Sequence, residues 1–437
     1  MARITVVVFT LFITFGQRYT IGAATGGRGA VQPLEMLFIA CSLILWLAMA
    51  CRPSKSAARY IWWPTVGPLF SLLLVMPFLG VLMGGYDLRT LYSYVVVLVP
   101  VSILVLGQAA RRYGVDLRPA AFAAIIAHGL YGIGQMLYRL GLMPEAAWAW
   151  AVQRDAQSQA VFGDSYLVSG RSTGLFLNAN EFGIWSVLAL VFGAVYLRGS
   201  YRMISVLLGI LGVISSQSRT ASVVLALLAA GFLMAMLTIP RLAKRALPPL
   251  FMTLGFVALL TFLGMASRLV EIEAIARLSS GLEVLTQGVQ ADTDLASRYS
   301  VWSRAVQFTT EHPFGTLGPP QVKFDGGSLD SQFVSLYVQG SVVLVLAYLL
   351  ALFGPYLLIR RGVPHARAIA LMTGTFAVFS YTALPLDSTM GSSLLWVAVA
   401  LSISWWADET QISSEDHDST IARSGPLPLP NSRASSW

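Results

Sequence analysis

Three polar segments, each with an arginine, interrupt a chain that is otherwise largely apolar. The first runs from Arg171 to Gly183, has the sequence RSTGLFLNANEFG, and leads into a long apolar stretch. Because uncompensated polar groups are costly inside a bilayer, Arg171, Asn178 and Asn180 should face a water-filled or protein-lined cavity. In the alternative interpretation, Arg171 extends to the lipid head groups and the two asparagines bond between neighbouring helices.

The second segment, Ser215–Thr220, is a turn of sequence SSQSRT between two apolar stretches. Five of its six residues carry a hydroxyl or an amide, and no acidic residue lies near Arg219 in the sequence. A turn this short cannot bury an arginine. Arg219 and its neighbour Ser218 therefore face either solvent or an anion.

The third segment, Met265–Gln332, is long, polar and charged. The capping residues at Asp292–Asp294 predict a helix that passes through Arg298, Trp302 and Arg304 and stops before Pro313. A loop rich in glycine and proline then leads to Asp330, at the start of the next apolar stretch. A long loop with structure of its own is usually functional, and the alternative is a solvated connector.

These residue types suit chemistry at a phosphate. The planar fork of arginine makes bidentate, charge-assisted contacts with phosphate oxygens, so three arginines from three loops can converge on one pyrophosphate. The carboxylate of Asp330 can take a proton from a hydroxyl, whereas Ser331 and Gln332 can only hydrogen-bond a substrate. The alternative role for Asp330 is to cap the helix that follows it.

The composition indicates the elements that must position these residues. The chain of 437 residues is 56% hydrophobic and only 11% charged, with a mean hydropathy of +0.68. Soluble chains carry about 25% charged residues, so the class is an all-α polytopic membrane protein. The net charge of +8 does not require a nucleic-acid partner, because basic residues in a membrane protein usually mark its cytoplasmic loops. Cys41 and Cys51 would lie roughly 15 Å apart along one helix, too far for a disulfide.

Several classes of site have no signal in this sequence. There is no phosphate-binding loop of the nucleotide-hydrolysing type, which argues against transport driven by ATP. The four histidines are scattered, so the sequence predicts neither a metal nor another cofactor. We expect His128 to be a packed, hydrogen-bonded helix residue and His312 to be a surface residue before Pro313.

Twelve apolar segments are each long enough to be interpreted as a membrane helix. They are Ile4–Gly16, Pro33–Ala50, Pro64–Met83, Thr90–Gly107, Pro119–Leu140, Gly174–Leu197, Met203–Ser216, Ala221–Ile239, Leu247–Gly264, Phe333–Ile359, Ala366–Leu386 and Ser392–Trp406. The first is expected to be a retained span rather than a cleaved signal peptide. We predict a single transmembrane domain over residues 1–406 and a disordered cytoplasmic tail over residues 407–437.

The distribution of Lys and Arg predicts the orientation. One set of short loops holds 14 basic residues, and the short loops on the other side hold only Arg18, Arg28, Arg89 and Arg219. Because basic residues concentrate on the cytoplasmic side, both termini should lie in the cytoplasm. The long loops 141–172 and 265–332 then face outward.

Five motifs follow one another along the chain. They are Arg-x-x-Gly-x-Phe-x-Asn-x-Asn from Arg171, Ser-Arg-Thr from Ser218, Ser-Arg-x3-Trp-x2-Ala from Ser297, His-Pro-Phe-Gly-x-x-Gly from His312, and a polar doublet at Asp330 that opens an apolar span. This order resembles the bacterial O-antigen ligase/polymerase family. The resemblance covers roughly residues 171–350 and agrees with the number of spans and with the large outward loop.

The resemblance implies a membrane-embedded glycosyltransferase of GT-C-like architecture, active without a metal or cofactor on the periplasmic face of the bacterial inner membrane. Its substrates would be oligosaccharides linked to undecaprenyl pyrophosphate. Its other partners would be membrane lipid and a chain-length regulator. The expected catalytic residues are Asp330, Arg298 and Arg219. Those expected to bind the substrate and its pyrophosphate are Arg171, Asn178, Asn180, Ser218, Trp302 and Gln332.

One departure from the family pattern separates its two branches. Ligases of the family have a histidine, usually followed by asparagine, where this chain has Asp330 and Ser331. The departure favours the polymerase branch, which joins repeat units of O-antigen, capsule or exopolysaccharide. Two alternatives stay open: a ligase that transfers the glycan to lipid A-core, and a transporter or flippase of lipid-linked glycan. Twelve spans would suit a transporter, but no internal repeat is visible and the polar loop is unusually long.

Overall fold

The computed structural model describes residues 1–15, 33–51, 63–83, 95–139, 142–143, 171–176, 178–238, 293–318, 329–360, 366–386 and 390–402. Within these ranges the chain forms helices and no strand, which confirms the all-α class. The helices are α1 Ala2–Phe15, α2 Pro33–Ala50, α3 Trp63–Leu82, α4 Val95–Arg112, α5 Arg118–Arg139, α6 Ala179–Tyr196, α7 Gly199–Ser216, α8 Arg219–Thr238, α9 Thr293–Glu311, α10 Gln332–Arg360, α11 Ala366–Thr382 and α12 Met390–Ser402.

Six of the described helices are long and apolar enough to cross a membrane, namely α2, α3, α5, α6, α7 and α10, and α1, α8 and α12 are shorter apolar helices. The chain is therefore a multi-pass membrane protein. A helix occupies every predicted span except Leu247–Gly264, which lies outside the described residues. Most of loop 141–172, residues 265–292 and the tail 407–437 also lie outside them.

The helix α6 is largely buried and packs closely against α7. Small residues at the contact allow the two backbones to approach. A Cβ added to Gly193 would come within 2.4 Å of Cβ of Ser205, and one added to Gly212 within 2.3 Å of the hydroxyl of Ser186. Almost every side chain of α6 is buried, so this helix is an internal support for the residues at its N-terminal end.

The N-terminal helices pack through aromatic rings. Phe9 and Phe12 of α1 contact Phe38 of α2, with ring centroids 5.1 and 5.6 Å apart. On α5, Nε2 of His128 lies 2.9 Å from the carbonyl oxygen of Ile13, and its imidazole stacks on Phe176. This burial confirms the prediction that His128 is a packed, hydrogen-bonded helix residue.

The helix α10 is sharply broken, and here the structure differs from the predicted continuous span. Gly340 and Ser341 have non-helical backbone angles, and φ of Ser341 is 57°. The rings of Phe333 and Tyr348 lie 5.5 Å apart. In a straight helix, residues 15 positions apart would be separated by roughly 22 Å. The first limb, residues 332–339, therefore folds back toward the second limb, residues 342–360, which alone is long enough to cross a membrane.

Candidate active site

Arg171 lies in a turn before α6 and is held by groups at the start of that helix. Asn178 is the N-cap of α6, and its side-chain oxygen accepts a hydrogen bond from the backbone N–H of Asn180 at 2.7 Å. Nη2 of Arg171 donates to Oδ1 of Asn180 at 2.6 Å, and its Nε donates to the carbonyl of Ser216 at 3.3 Å. The half-buried guanidinium therefore lies between the start of α6 and the end of α7.

The turn between α7 and α8 carries Arg219 and follows the residues that bond the Arg171 turn. Gln217 adopts a left-handed conformation, with φ 49° and ψ 31°, which ends α7. The buried hydroxyl of Ser218 accepts a hydrogen bond at 3.4 Å from the backbone N–H three residues later, and Arg219 follows as the first residue of α8. The backbone N–H of Ser172 donates to the carbonyl of Ser215 at 2.9 Å. The turns that carry Arg171 and Arg219 are thus joined directly.

A buried glutamine that the sequence analysis did not single out fixes the Arg171 turn from the other side. Oε1 of Gln135, on α5, accepts hydrogen bonds from the backbone N–H groups of Thr173 and Gly174, each at 2.9 Å. Its Nε2 donates to the hydroxyl of Thr173 at 3.0 Å. A buried amide in an apolar helix needs such hydrogen-bond partners. A glutamine within an apolar stretch was therefore the signal in the sequence that this residue has a structural role.

The second group of predicted residues lies between α9 and the start of α10. Nε of Arg298 lies 3.8 Å from Oδ2 of Asp330, an ion pair whose separation exceeds a hydrogen bond. The Arg298 side chain is 20% exposed and that of Asp330 is 41% exposed. One turn after Arg298, the ring of Trp302 packs against Tyr299 and Tyr381, at 5.3 Å in each case. Asp330 is thus accessible to a substrate while its cationic partner is mostly enclosed.

The helix α9 begins and ends where the sequence predicted, and an apolar contact attaches it to α10. Ala305 is fully buried against Leu329 and Val338, with Val301, Phe308 and Val334 around them. The opposite side of α9 is polar and exposed, and it includes Ser300, Ser303, Arg304 and Gln307. This pattern fixes the face on which Arg298 and Trp302 lie.

The three polar residues at the start of α10 have different environments. The hydroxyl of Ser331 donates to the carbonyl of Ser380 at 3.1 Å. The backbone N–H of Gln332 donates to the carbonyl of Ala383 at 3.0 Å, and its Oε1 accepts from the N–H of Leu386 at 3.0 Å. Ser331 and Gln332 are both buried. Of the three, only Asp330 is accessible from outside.

Ser331, rather than Asp330, occupies the N-cap position of α10. In a capped helix, the carbonyl of the N-cap residue accepts the first intrahelical bond. In α10 the carbonyl of Ser331 accepts this bond, from the backbone N–H of Ser335 at 2.9 Å. Asp330 precedes the cap by one residue.

The loop after α9 docks onto the break in α10. The imidazole of His312, which is exposed as predicted, stacks on Phe308, and the chain then turns at Gly315 with φ 68°. The backbone N–H groups of Thr316 and Leu317 donate to the carbonyls of residues 338 and 339 at 2.8 and 2.9 Å. Those carbonyls end the first limb of α10, so the loop supplies hydrogen bonds where the helix is interrupted.

The two groups of predicted residues both border α11. Tyr381 of α11 contacts Trp302 edge-on, and α11 packs against α6 and α8, which carry Asn180 and Arg219. A separate pocket between α3, α10, α11 and α12 is lined mostly by apolar side chains and contains none of the predicted site residues. No group of three or more His, Cys, Asp or Glu side chains occurs among the described residues. Convergence of Arg171, Arg219 and Arg298 on one ligand stays a prediction.

Comparison with known families gives one match. Residues 204–340 match the family model described as O-antigen ligase. The match runs from α7 to the break in α10, so it contains Arg219, Arg298 and Asp330, whereas Arg171 and the start of α6 precede it. None of the curated proteins matches the chain. The match confirms the resemblance that the five motifs indicated.

Proposed function

We propose that this chain, a member of the O-antigen ligase/polymerase family, polymerises oligosaccharide repeat units linked to undecaprenyl pyrophosphate. The product would be O-antigen, capsule or exopolysaccharide, made on the periplasmic face of the inner membrane. The family acts on lipid-linked glycans, and its members process glycans enzymatically. The observation that carries the polymerase assignment is the accessible carboxylate of Asp330 next to Arg298, at the position where ligases of the family have a histidine.

The arginines have a defined role in this proposal. Arg298, Arg219 and Arg171 bind the lipid pyrophosphates and stabilise the charge that develops on the leaving group. Arg219 is suited to this role because it is the first residue of α8, where the helix dipole also favours an anion. Other residues complete the binding region, and some of them act by fixing its backbone. They are Asn178, Asn180, Ser218, Trp302 and Gln332.

The reaction needs no nucleotide, because the lipid pyrophosphate is already an activated leaving group. A hydroxyl of the acceptor attacks the anomeric carbon of the donor, and its proton passes to the carboxylate of Asp330. The bond from the anomeric carbon to the pyrophosphate oxygen breaks, and the pyrophosphate leaves with the electron pair. Displacement in one step inverts the anomeric centre, whereas a covalent intermediate would retain it. We propose that neither a metal nor another cofactor takes part.

The orientation and architecture belong to the same proposal. Twelve spans of GT-C-like arrangement would place both termini in the cytoplasm and loops 141–172 and 265–332 in the periplasm. The asymmetry of basic residues between the two sets of short loops supports this orientation. In this arrangement α9 and Asp330 lie on the side where a chain-length regulator would meet the growing polymer.

The ligase is the second candidate, because the matching family model carries that description. It would use the same residues and differ only in its acceptor, lipid A-core. A transporter would also suit a discontinuous helix such as α10, but the match to a family of glycan-processing enzymes favours bond formation.

A reconstitution assay separates the three functions. The purified protein in lipid nanodiscs is incubated with lipid-linked repeat units, either alone or with lipid A-core. We expect a ladder of products without lipid A-core. A single transfer that requires lipid A-core would identify a ligase, and unchanged repeat units in both reactions would contradict both enzymatic proposals.

A further inference from the structure

Three aromatic side chains form a partly exposed cluster, which we call the aromatic shelf, beside the Arg298–Asp330 pair. Trp302 contacts Tyr299 with a ring-centroid distance of 5.3 Å and an angle of 42°. It contacts Tyr381 of α11 at 5.3 Å and 73°. A hydrogen bond joins the hydroxyls of Tyr299 and Tyr381. The shelf therefore bridges α9 and α11 as a connected unit.

Two of the three rings of the shelf are exposed at the surface of the described residues. Tyr299 is 46% exposed and Tyr381 is 48% exposed. Nε1 of Trp302 is buried and has no hydrogen-bond partner among the described residues. Buried indole N–H groups usually have an acceptor. The exposed rings of Tyr299 and Tyr381 can therefore stack on a ligand, whereas the buried Nε1 of Trp302 is not accessible to one.

The surroundings of the shelf indicate the chemistry of that ligand. The exposed side of α9 carries Ser300, Ser303, Arg304 and Gln307, so this helix borders water rather than lipid tails. The shelf itself carries no charge, whereas a pyrophosphate would bind the arginines. A sugar ring matches such a surface, because its C–H face packs against the negative face of an aromatic ring while its hydroxyls meet polar groups.

The register of α9 places such a ring next to the proposed chemistry. Arg298 and Trp302 are four residues apart and therefore lie on the same face, about 6 Å apart along the helix axis. This spacing is close to the width of one sugar ring. A ring on the shelf would direct a hydroxyl toward Asp330, which pairs with Arg298.

We propose that the aromatic shelf is the acceptor subsite and binds the pyranose unit that carries the attacking hydroxyl. This proposal rests on the proposed function of the chain. It adds Tyr299 and Tyr381 as binding residues, and it separates sugar recognition at the shelf from pyrophosphate recognition at the arginines.

The test uses a probe that contains neither lipid nor pyrophosphate. Oligosaccharide released from the polymer of the source strain is titrated by calorimetry into the purified full-length protein in nanodiscs. We expect Tyr299→Ala and Tyr381→Ala each to weaken binding about three- to tenfold, the range expected for loss of one aromatic contact. Tyr299→Phe and Tyr381→Phe should stay within about twofold, because the ring is kept. Tyr356→Ala, which removes a tyrosine of α10 that is 45% exposed, should bind like the wild type.

Steady-state kinetics give a second readout on the same variants. Loss of a contact made equally in the ground and transition states raises KM and leaves kcat nearly unchanged. We expect this pattern for Tyr299→Ala and Tyr381→Ala with lipid-linked repeat units as the acceptor. Equal KM values for these variants and the wild type would overturn the proposal and leave the aromatic shelf as a membrane-interface anchor.

The outcomes distinguish the shelf from the function on which it rests. A wild-type protein that makes polymer but does not bind the oligosaccharide would overturn the shelf alone. A wild-type protein that makes no polymer from lipid-linked repeats would contradict the proposed function, whatever the shelf binds.

Discussion

At the scale of single residues, a substitution of Asp330 tests the proposed mechanism most directly. Asp330→Asn keeps the size and hydrogen-bonding capacity of the side chain but cannot accept a proton. Because Ser331 rather than Asp330 occupies the N-cap position of α10, the change should leave the helix intact. Loss of a general base typically costs 10²- to 10⁴-fold in rate, and we expect a loss of at least about 100-fold in polymer formation.

The measurement is the rate of repeat-unit addition by purified enzyme, together with the amount of folded protein in the membrane. Ser331→Ala is the matched control, since it changes the neighbouring buried hydroxyl that bonds Ser380. It should lower stability modestly and leave the chemical step intact. Wild-type rates for Asp330→Asn would assign the proton transfer to another group.

The proposed pyrophosphate contacts give a second prediction at this scale. Arg219→Ala and Arg298→Ala should each cost about 2–4 kcal/mol of transition-state stabilisation, by analogy with the loss of one oxyanion donor. Lysine should rescue little, because it cannot make the bidentate contact. Arg304→Ala is the matched control: Arg304 lies on α9 two residues after Trp302 but is exposed. The rate of polymer formation at matched protein level is the readout, and retention of full activity in both variants would contradict the assignment.

The sequence predicted the types of these residues better than their contacts. Arg171 and Asn180 share one motif, and they form a hydrogen bond in the structure. The pairing of Arg298 with Asp330 joins residues far apart in the chain, and motif order alone does not predict it. A glutamine within an apolar stretch was a signal that Gln135 has partners, but the sequence did not indicate that those partners are the backbone groups of Thr173 and Gly174.

At the scale of elements, α9 was predictable and the break in α10 was not. The helix α9 has acidic residues at its start and a proline after its end, so local signals set both bounds. The sequence analysis predicted one span from Phe333 to Ile359, although Gln339, Gly340 and Ser341 interrupt its apolar pattern. The break depends on distant partners: Thr316 and Leu317 supply hydrogen bonds to carbonyls that a continuous helix would satisfy itself.

Gly315 is the residue on which this docking depends. Its φ of 68° favours glycine, and a Cβ there would lie 2.4 Å from the carbonyl oxygen of Val338. Gly315→Ala should therefore weaken the contact between the loop and α10 by about 1–3 kcal/mol. Amide hydrogen exchange of Thr316 and Leu317 should become about tenfold faster or more. Gly231→Ala on α8 is the control, since a Cβ there meets nothing within 4 Å. Unchanged amide exchange in Gly315→Ala would show that other contacts hold the loop against α10.

At the scale of the whole molecule, the proposed site draws on elements that are distant in sequence. The turns before α6 and α8 carry Arg171 and Arg219, while α9 and the start of α10 carry Arg298 and Asp330. The helix α11 contacts both groups. Hydrophobicity was sufficient to predict the class of the protein and the positions of its described apolar helices. It could not predict which helix ends meet, because that depends on packing between segments.

The orientation in the membrane is the prediction on which the whole proposal depends, since the site must face the side that holds the lipid-linked glycan. The short loops on one side carry 14 basic residues and those on the other carry four. Basic loops stay in the cytoplasm, so loop 265–332 should be periplasmic and both termini cytoplasmic. A reporter enzyme that is active only in the periplasm should be active when fused at Gly288 and inactive when fused after Trp406. A cytoplasmic reporter at the same two positions is the control and should give the opposite pattern. If the periplasmic reporter is active only after Trp406, then Asp330 and its arginines face the cytoplasm, and a periplasmic polymerase is ruled out.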